Sequence, residues 1–267
     1  MCESEYFLLI LVNARHLDYT NNRSLLKTIA KHPSDGSKNG DVGHAWIYMQ
    51  GMVDGRCVCV EGGHSGERGW IQPKYFEGVM NYIDYGCLCP SKQQAATARY
   101  EPNPIKYLWA TQEDGFFQEG SGEHTPTYAA KVDITSEQFQ SILSFIQPEN
   151  YPYSEYSLTG NQCSEFVARI GEIAGLELEC KMTISIDQIV AFGGRSLCMW
   201  RDPRYAMFTF SSPDALERSL MQAVCDKRAE YALPWYMSRK KSIQHRGTEP
   251  QRTQRRKKER EGGNEFA

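Results

Sequence analysis

Residues 44–61, HAWIYMQGMVDGRCVCVE, read as two strands and the turn between them. The strand-like runs 44–50 and 56–61 flank Gly51 and the pair Asp54-Gly55, which is a hairpin signal. A register that pairs His44 with Glu61 puts Ala45, Ile47, Val58 and Val60 on one face. The other face then carries His44, Trp46, Tyr48, Cys57, Cys59 and Glu61, because side chains alternate along a strand. In that register His44 and Glu61 meet across the ladder. A one-residue slip destroys the pairing, so the register stands as a candidate.

Working outward, residues 6–13 hold the run FLLILV and read as a buried strand, and 24–31 reads as a short helix. Residues 32–43 are rich in Gly, Ser, Asp and Pro and read as a loop. The Gly-rich stretch 62–127 reads as loops around short elements, with a strand expected at 105–110. A further strand is expected at 128–134. Thr135 and Gln138 then fit a capping box, followed by Phe139, Ile142, Leu143 and Ile146 at helical spacing, with Pro148 ending the helix. Residues 163–174 carry a helical stripe of Phe166, Val167, Ile170 and Ile173, closed by Gly175. A late strand is expected at 207–210 and a helix over 213–231. No internal repeat is visible.

The chemistry is expected at Cys163. Placed in the first turn of a helix, its thiolate is favoured by the free N–H groups and the dipole there. Asn161 is a candidate cap. A cysteine nucleophile needs a base within reach and a third group to orient that base. His44, opening a strand after Gly43, is the candidate general base and acid, with Glu61 holding its ring. His64, in the Gly-rich stretch just after Glu61, is the rival orienting group, and His124 is a weaker candidate. Tyr153 and Tyr156, in the loop before the cysteine, are candidates to line a cleft or supply an oxyanion donor; the competing reading is ordinary aromatic packing. The backbone N–H of Cys163 is a further oxyanion donor.

Three segments, GHAWIYMQG (43–51), VCVEGG (58–63) and NQCSEFV (161–167), together resemble the papain-like NlpC superfamily in its circularly permuted form. That branch includes the lecithin retinol acyltransferase-like and YiiX/YaeF-like proteins. The resemblance covers roughly residues 40–175, with uncertain alignment over 62–127. It implies an α+β, permuted papain-like fold, in which a central antiparallel sheet packs against the helix carrying the cysteine. It also implies that His44, Glu61 and Cys163 act as a triad through a thioester intermediate. Gln162 stands just before the cysteine, where family members vary, and is a candidate substrate or oxyanion contact. The implied activity is a cysteine-dependent hydrolase of amide or ester bonds, of amidase or peptidase type. The alternatives are an acyltransferase or lipid hydrolase on the same fold, and a catalytically silent binding protein. The substrate class is peptide, acyl or lipid, and no cofactor is expected.

Composition frames these expectations. Forty per cent of the 267 residues are hydrophobic and 24% charged, which excludes a wholly disordered or collagen-like chain. The early apolar run is only seven residues, 6–12, whereas a spanning helix needs about 20. The acidic start MCESE is unlike a signal peptide. The expectation is therefore a cytoplasmic protein, or one exported without a cleaved signal. Nine cysteines in such a chain are expected to be reduced, small and buried on strands. The pairs Cys57-x-Cys59 and Cys87-x-Cys89 lack the C-x2-C spacing of structural zinc, so no metal is expected. The formal net charge of −3 is split. Residues 239–267 hold ten Lys/Arg and four Glu, leaving a net of −9 in 1–238. The basic stretch is expected to be disordered. It is suited to an anionic membrane or nucleic acid, or acts only as a solubilising tail. The domain expectation is one domain over 1–238, with an insertion at 62–127, a C-terminal elaboration at 184–238, and the tail at 239–267.

Overall fold

Leu8, Ile10 and Val12 face one way from strand β1 (Phe7–Asn13), Leu9 and Leu11 face the other, and all five are buried. A strand covered on both faces reads as a continuous apolar run, which is why this one does not alternate. The computed structural model describes residues 6–29, 42–66, 109, 115–192 and 195–247. Apart from Trp109, the strand expected at 105–110 lies outside the described residues, as do most of 62–127 and the tail beyond 247.

The chain is mixed α and β around a six-stranded antiparallel sheet. After β1 come helix α1 (Asn22–Ile29) and the long hairpin of β2 (His44–Val53) and β3 (Arg56–Ser65). Strands β4 (Phe116–Glu119) and β5 (Tyr128–Asp133) follow, then helices α2 (Ser136–Phe145) and α3 (Cys163–Ile173). The remainder is β6 (Lys181–Ser185), β7 (Ile189–Phe192), β8 (Arg195–Cys198), β9 (Met207–Ser211), α4 (Pro213–Cys225), β10 (Glu230–Tyr231) and α5 (Leu233–Gly247). The sheet order is β10-β5-β1-β2-β3-β4. Strands β6 and β9 form one separate pair and β7 and β8 another.

One row of sheet side chains, Leu8, Ile10, Val12, Ala45, Ile47, Met49 and Ala130, shares a core with Phe139 and Ile142 of α2. Phe166, Val167 and Ile170 of α3 and Leu216 and Leu220 of α4 complete it. All three helices therefore pack on the same face. Helix α2 begins as expected, with Thr135 and Gln138 closing a reciprocal capping box. Helix α3 ends at Gly175, whose φ of +80° is the left-handed conformation that a C-terminal glycine supplies.

The hairpin corrects the expected register. Asp54 and Gly55 have φ of 49° and 72°, a two-residue turn that pairs Val53 with Arg56. The ladder then sets Tyr48, not His44, against Glu61. The error is an even number of residues, so the assignment of side chains to faces holds while the partners change. Gly51 lies inside β2, opposite Val58, rather than in the turn; a Cβ there would stand 2.6 Å from the Tyr6 ring and 2.9 Å from Phe139, so the position suits a glycine. Cys57 and Cys59 lie on β3 as expected, but both are exposed, and Cys57 is disulfide-bonded rather than reduced.

The helix expected over 213–231 stops at Cys225; Lys227 turns left-handed at φ 60°, and Glu230–Tyr231 joins the sheet beside β5. The chain divides into two compact units with the boundary between Tyr231 and Ala232. This places the division seven residues before the expected one. The second unit begins with α5, which carries regular helix through residues 239–247 of the stretch expected to be disordered. Pro234 sits in its first turn, where the missing N–H costs nothing, and the Arg239 guanidinium lies 5.6 Å from the Trp235 ring centre. Among the described residues, no helix is long and apolar enough to cross a membrane.

Candidate functional site

Cys163 is the first residue of α3 and is 4% exposed. Its thiol donates to Oε1 of Gln162 at 3.2 Å and lies 3.9 Å from Oγ of Ser164. Burial pushes the thiol up to about 11. Against that, the backbone N–H groups of Ala45, Ser164 and Cys163 itself, with the Ser164 hydroxyl, favour the thiolate. The Ala45 amide belongs to the residue after His44, so the helix delivers the sulfur to the first residues of β2. The β2–β3 ladder runs only from Val53–Arg56 to Ile47–Gly62; beyond it, Gly62–Ser65 pair with β4.

His44 is buried, and burial is the first cause that holds its imidazole well below the ordinary value, followed by the nearby His124 and His64. The ring is therefore neutral at pH 7. It stacks on His124 at 4.8 Å between centroids and on Trp46 at 5.8 Å. Alternation puts His44 in the row with Trp46 and Tyr48, opposite to the row of Ala45 that faces α3. The thiol and the imidazole thus approach the same end of β2 from different sides. No hydrogen bond joins them among the described residues, and Nε2 of His44 has no hydrogen-bond partner.

Neither expected orienting group fills that role. Glu61 is opposite Tyr48, four residues and roughly 13 Å of strand away from His44. His64 is wholly buried on the α3 side, and both of its ring nitrogens are committed. Its Nε2–H donates to the Tyr153 carbonyl at 2.9 Å, which leaves Nδ1 to accept from the Tyr151 hydroxyl at 3.1 Å. Burial lowers this imidazole to about 4. Tyr151, Tyr153, Tyr156 and Phe166 surround the ring with centroids 5.2 to 6.4 Å away.

The tyrosines behave as packing. The Tyr153 hydroxyl donates to the Ile146 carbonyl at 3.0 Å, and the Tyr156 ring covers Gly66 so closely that a Cβ there would stand 2.4 Å from it. Gln162, not Asn161, caps α3: its Oε1 accepts from the Ser164 N–H at 3.0 Å while its Nε2 donates to the Ser211 carbonyl. Its amide is therefore engaged within the fold at both ends. Glu165 ties the same helix to β9, accepting from the Ser211 hydroxyl at 3.0 Å.

One residue at the site escaped the sequence reading. Asn13, the last residue of β1, stands directly opposite His44 in the β1–β2 ladder. It is 5% exposed, and its Nδ2 donates to the Thr125 carbonyl. No local sequence signal marks it, because the pairing joins residues 31 positions apart. The loop it binds brings His124 beneath His44 and is further fixed by Thr127, whose N–H donates to the Val12 carbonyl at 2.8 Å. The chain matches no family model, no curated protein and no solved structure.

Proposed function

We propose that this protein is a permuted papain-like thiol enzyme that attacks an amide or ester carbonyl through Cys163. One observation carries the reading: a cysteine opens a helix beside the start of the strand that carries a buried, neutral histidine, and the backbone N–H groups of Ala45, Ser164 and Cys163 itself favour its thiolate. The combination of nucleophile, base and oxyanion donors is what acyl transfer requires.

The protonation states dictate the sequence of events. A thiol raised to about 11 and an imidazole held below its ordinary value start as a neutral pair, not as a thiolate–imidazolium pair. Sulfur therefore bonds to the carbonyl carbon as His44 removes its proton, with the ring turning about its side-chain torsions at the strand end. The Cys163 N–H stabilises the oxyanion. Collapse expels the amine or alcohol, which takes the proton from His44 and leaves a thioester. His44 then draws a proton from water, which hydrolyses the thioester and restores the thiol.

Burial of the sulfur and its bond to Gln162 favour a second reading, a fold of this kind without turnover. Incubation with a p-nitrophenyl acyl ester, followed by peptide mass spectrometry, separates the two. The expected result is an acyl adduct on Cys163, absent in Cys163→Ala and formed at least about 100-fold more slowly in His44→Ala. Absence of the adduct in wild type, or its formation at equal rate without His44, overturns the proposal.

A further inference from the structure

Asn13 and His44 are opposed across the β1–β2 ladder and lie in the same row of side chains. Each is more than nine-tenths buried, and each carries a polar atom with no hydrogen-bond partner among the described residues: Oδ1 of Asn13 and Nε2 of His44. Buried polar atoms are nearly always paired, so two facing orphans of complementary character need an explanation. The orientation of the Asn13 amide is not arbitrary. Its Nδ2 faces the Thr125 carbonyl, where only a donor is tolerated, so the atom left over is the acceptor. An acceptor at that place suits an imidazole N–H.

We infer that Asn13 is a positioning residue that accepts the Nε2–H of His44, fixes its tautomer, and leaves Nδ1 as the nitrogen that takes the Cys163 proton. The inference rests on the acyl-transfer reading for its last clause only. Directly opposed Cβ atoms lie about 4.5–5.5 Å apart, which an amide and an imidazole span by small side-chain rotations. Gly43 makes the approach feasible, since a Cβ there would stand 2.2 Å from the Asn13 carbonyl oxygen. The role is that of an oriented second partner, which sets tautomer and direction without touching substrate.

The test uses the full chain with ¹⁵N-labelled histidine and reads ring nitrogens by NMR, alongside acylation of Cys163. In wild type, His44 is expected to carry its proton on Nε2, slowly exchanging; a proton on Nδ1 overturns the inference without any variant. Asn13→Ala is expected to abolish the protection of that proton and slow Cys163 acylation at least about tenfold. An unchanged ring signal in a folded Asn13→Ala protein overturns the inference. Asn13→Asp keeps an acceptor for the Nε2–H and adds a charge, but sets a carboxylate oxygen against the Thr125 carbonyl, so it is expected to recover acylation in part, with the acidic limb of its pH profile moved upward. A purely structural Asn13 gives no such movement of the limb, and that result overturns it as well. If Asn13→Ala alters the ring signal while wild-type Cys163 forms no adduct, the positioning of His44 stands and the acyl-transfer reading falls.

Discussion

The Cys163 thiol donates to Oε1 of Gln162 at 3.2 Å, and that same oxygen accepts the Ser164 N–H at 3.0 Å. One side-chain oxygen therefore caps the helix and holds the thiol proton of Cys163. The bond stabilises the neutral thiol and opposes the backbone donors that stabilise the thiolate. Gln162→Ala is expected to cost about 1 kcal/mol of stability through loss of the cap. It is also expected to speed iodoacetamide labelling of Cys163 at pH 7–8. Equal labelling rates in the two proteins remove Gln162 from control of the sulfur.

His64 makes the fold sensitive to acid. Its imidazole is lowered from 6.5 to about 4 in the folded chain, so the unfolded chain binds the extra proton between those values. Its contribution is complete above pH 6.5 and is lost as pH falls toward 4, by about 3 kcal/mol in all. Urea unfolding at pH 7 and pH 4 measures the loss. In His64→Gln, which retains a donor for the Tyr153 carbonyl, the loss between the two pH values is expected to be smaller. An identical loss in both proteins assigns the acid sensitivity elsewhere.

Asp214, the second residue of α4, gathers the segment after β1. Its Oδ1 accepts from the N–H groups of Arg15 and His16, and its Oδ2 from the Leu17 N–H and the Tyr19 hydroxyl. His16 has φ 51°, a left-handed conformation that these bonds hold in place. Asp214→Ala leaves several buried donors unmatched and is expected to cost about 3 kcal/mol or more, while Tyr19→Phe costs about 2 kcal/mol. Chemical denaturation of both variants checks the order; a Tyr19→Phe loss equal to that of Asp214→Ala contradicts it.

Gly43 precedes His44 and runs at φ +95°. Gly43→Ala adds left-handed strain of about 1–2 kcal/mol and a collision with the Asn13 carbonyl. The expected outcome is a lower melting temperature together with a disturbed His44 ring resonance. A variant that melts and resonates like wild type shows that β1 and β2 tolerate separation at this end.

Much of the core was readable. The period-two alternation of 44–61 assigned faces correctly, and Thr135 with Gln138 located a helix start to the residue. The register was misread although its signal was present: a two-residue Asp54-Gly55 turn requires Val53 opposite Arg56 and hence Tyr48, not His44, opposite Glu61. Pairings that join distant segments were not. Asn13 meets His44, and Glu230–Tyr231 meets Lys131 and Ala130, through contacts that no local pattern encodes. The same holds for His64, whose two ring partners come from residues 87 and 89 positions later.

Strand β1 comes first among the six yet lies third in the sheet, with β2 on one side and β5 on the other. Its two flanks are filled by segments about 80 residues apart in sequence, Ala45 to Gln50 and Tyr128 to Asp133. A chain emerging from the ribosome can zip β1 to β2 early but must hold the other edge open until residue 133 has been made. That edge is FLLILVN, an apolar strand with unpaired backbone groups, the kind that recruits other chains. A fragment ending before Tyr128 is expected to aggregate, whereas one that extends through Tyr231 closes the sheet. This strongly apolar strand thus waits for its second neighbour until residue 133, and productive synthesis depends on shielding it during that interval.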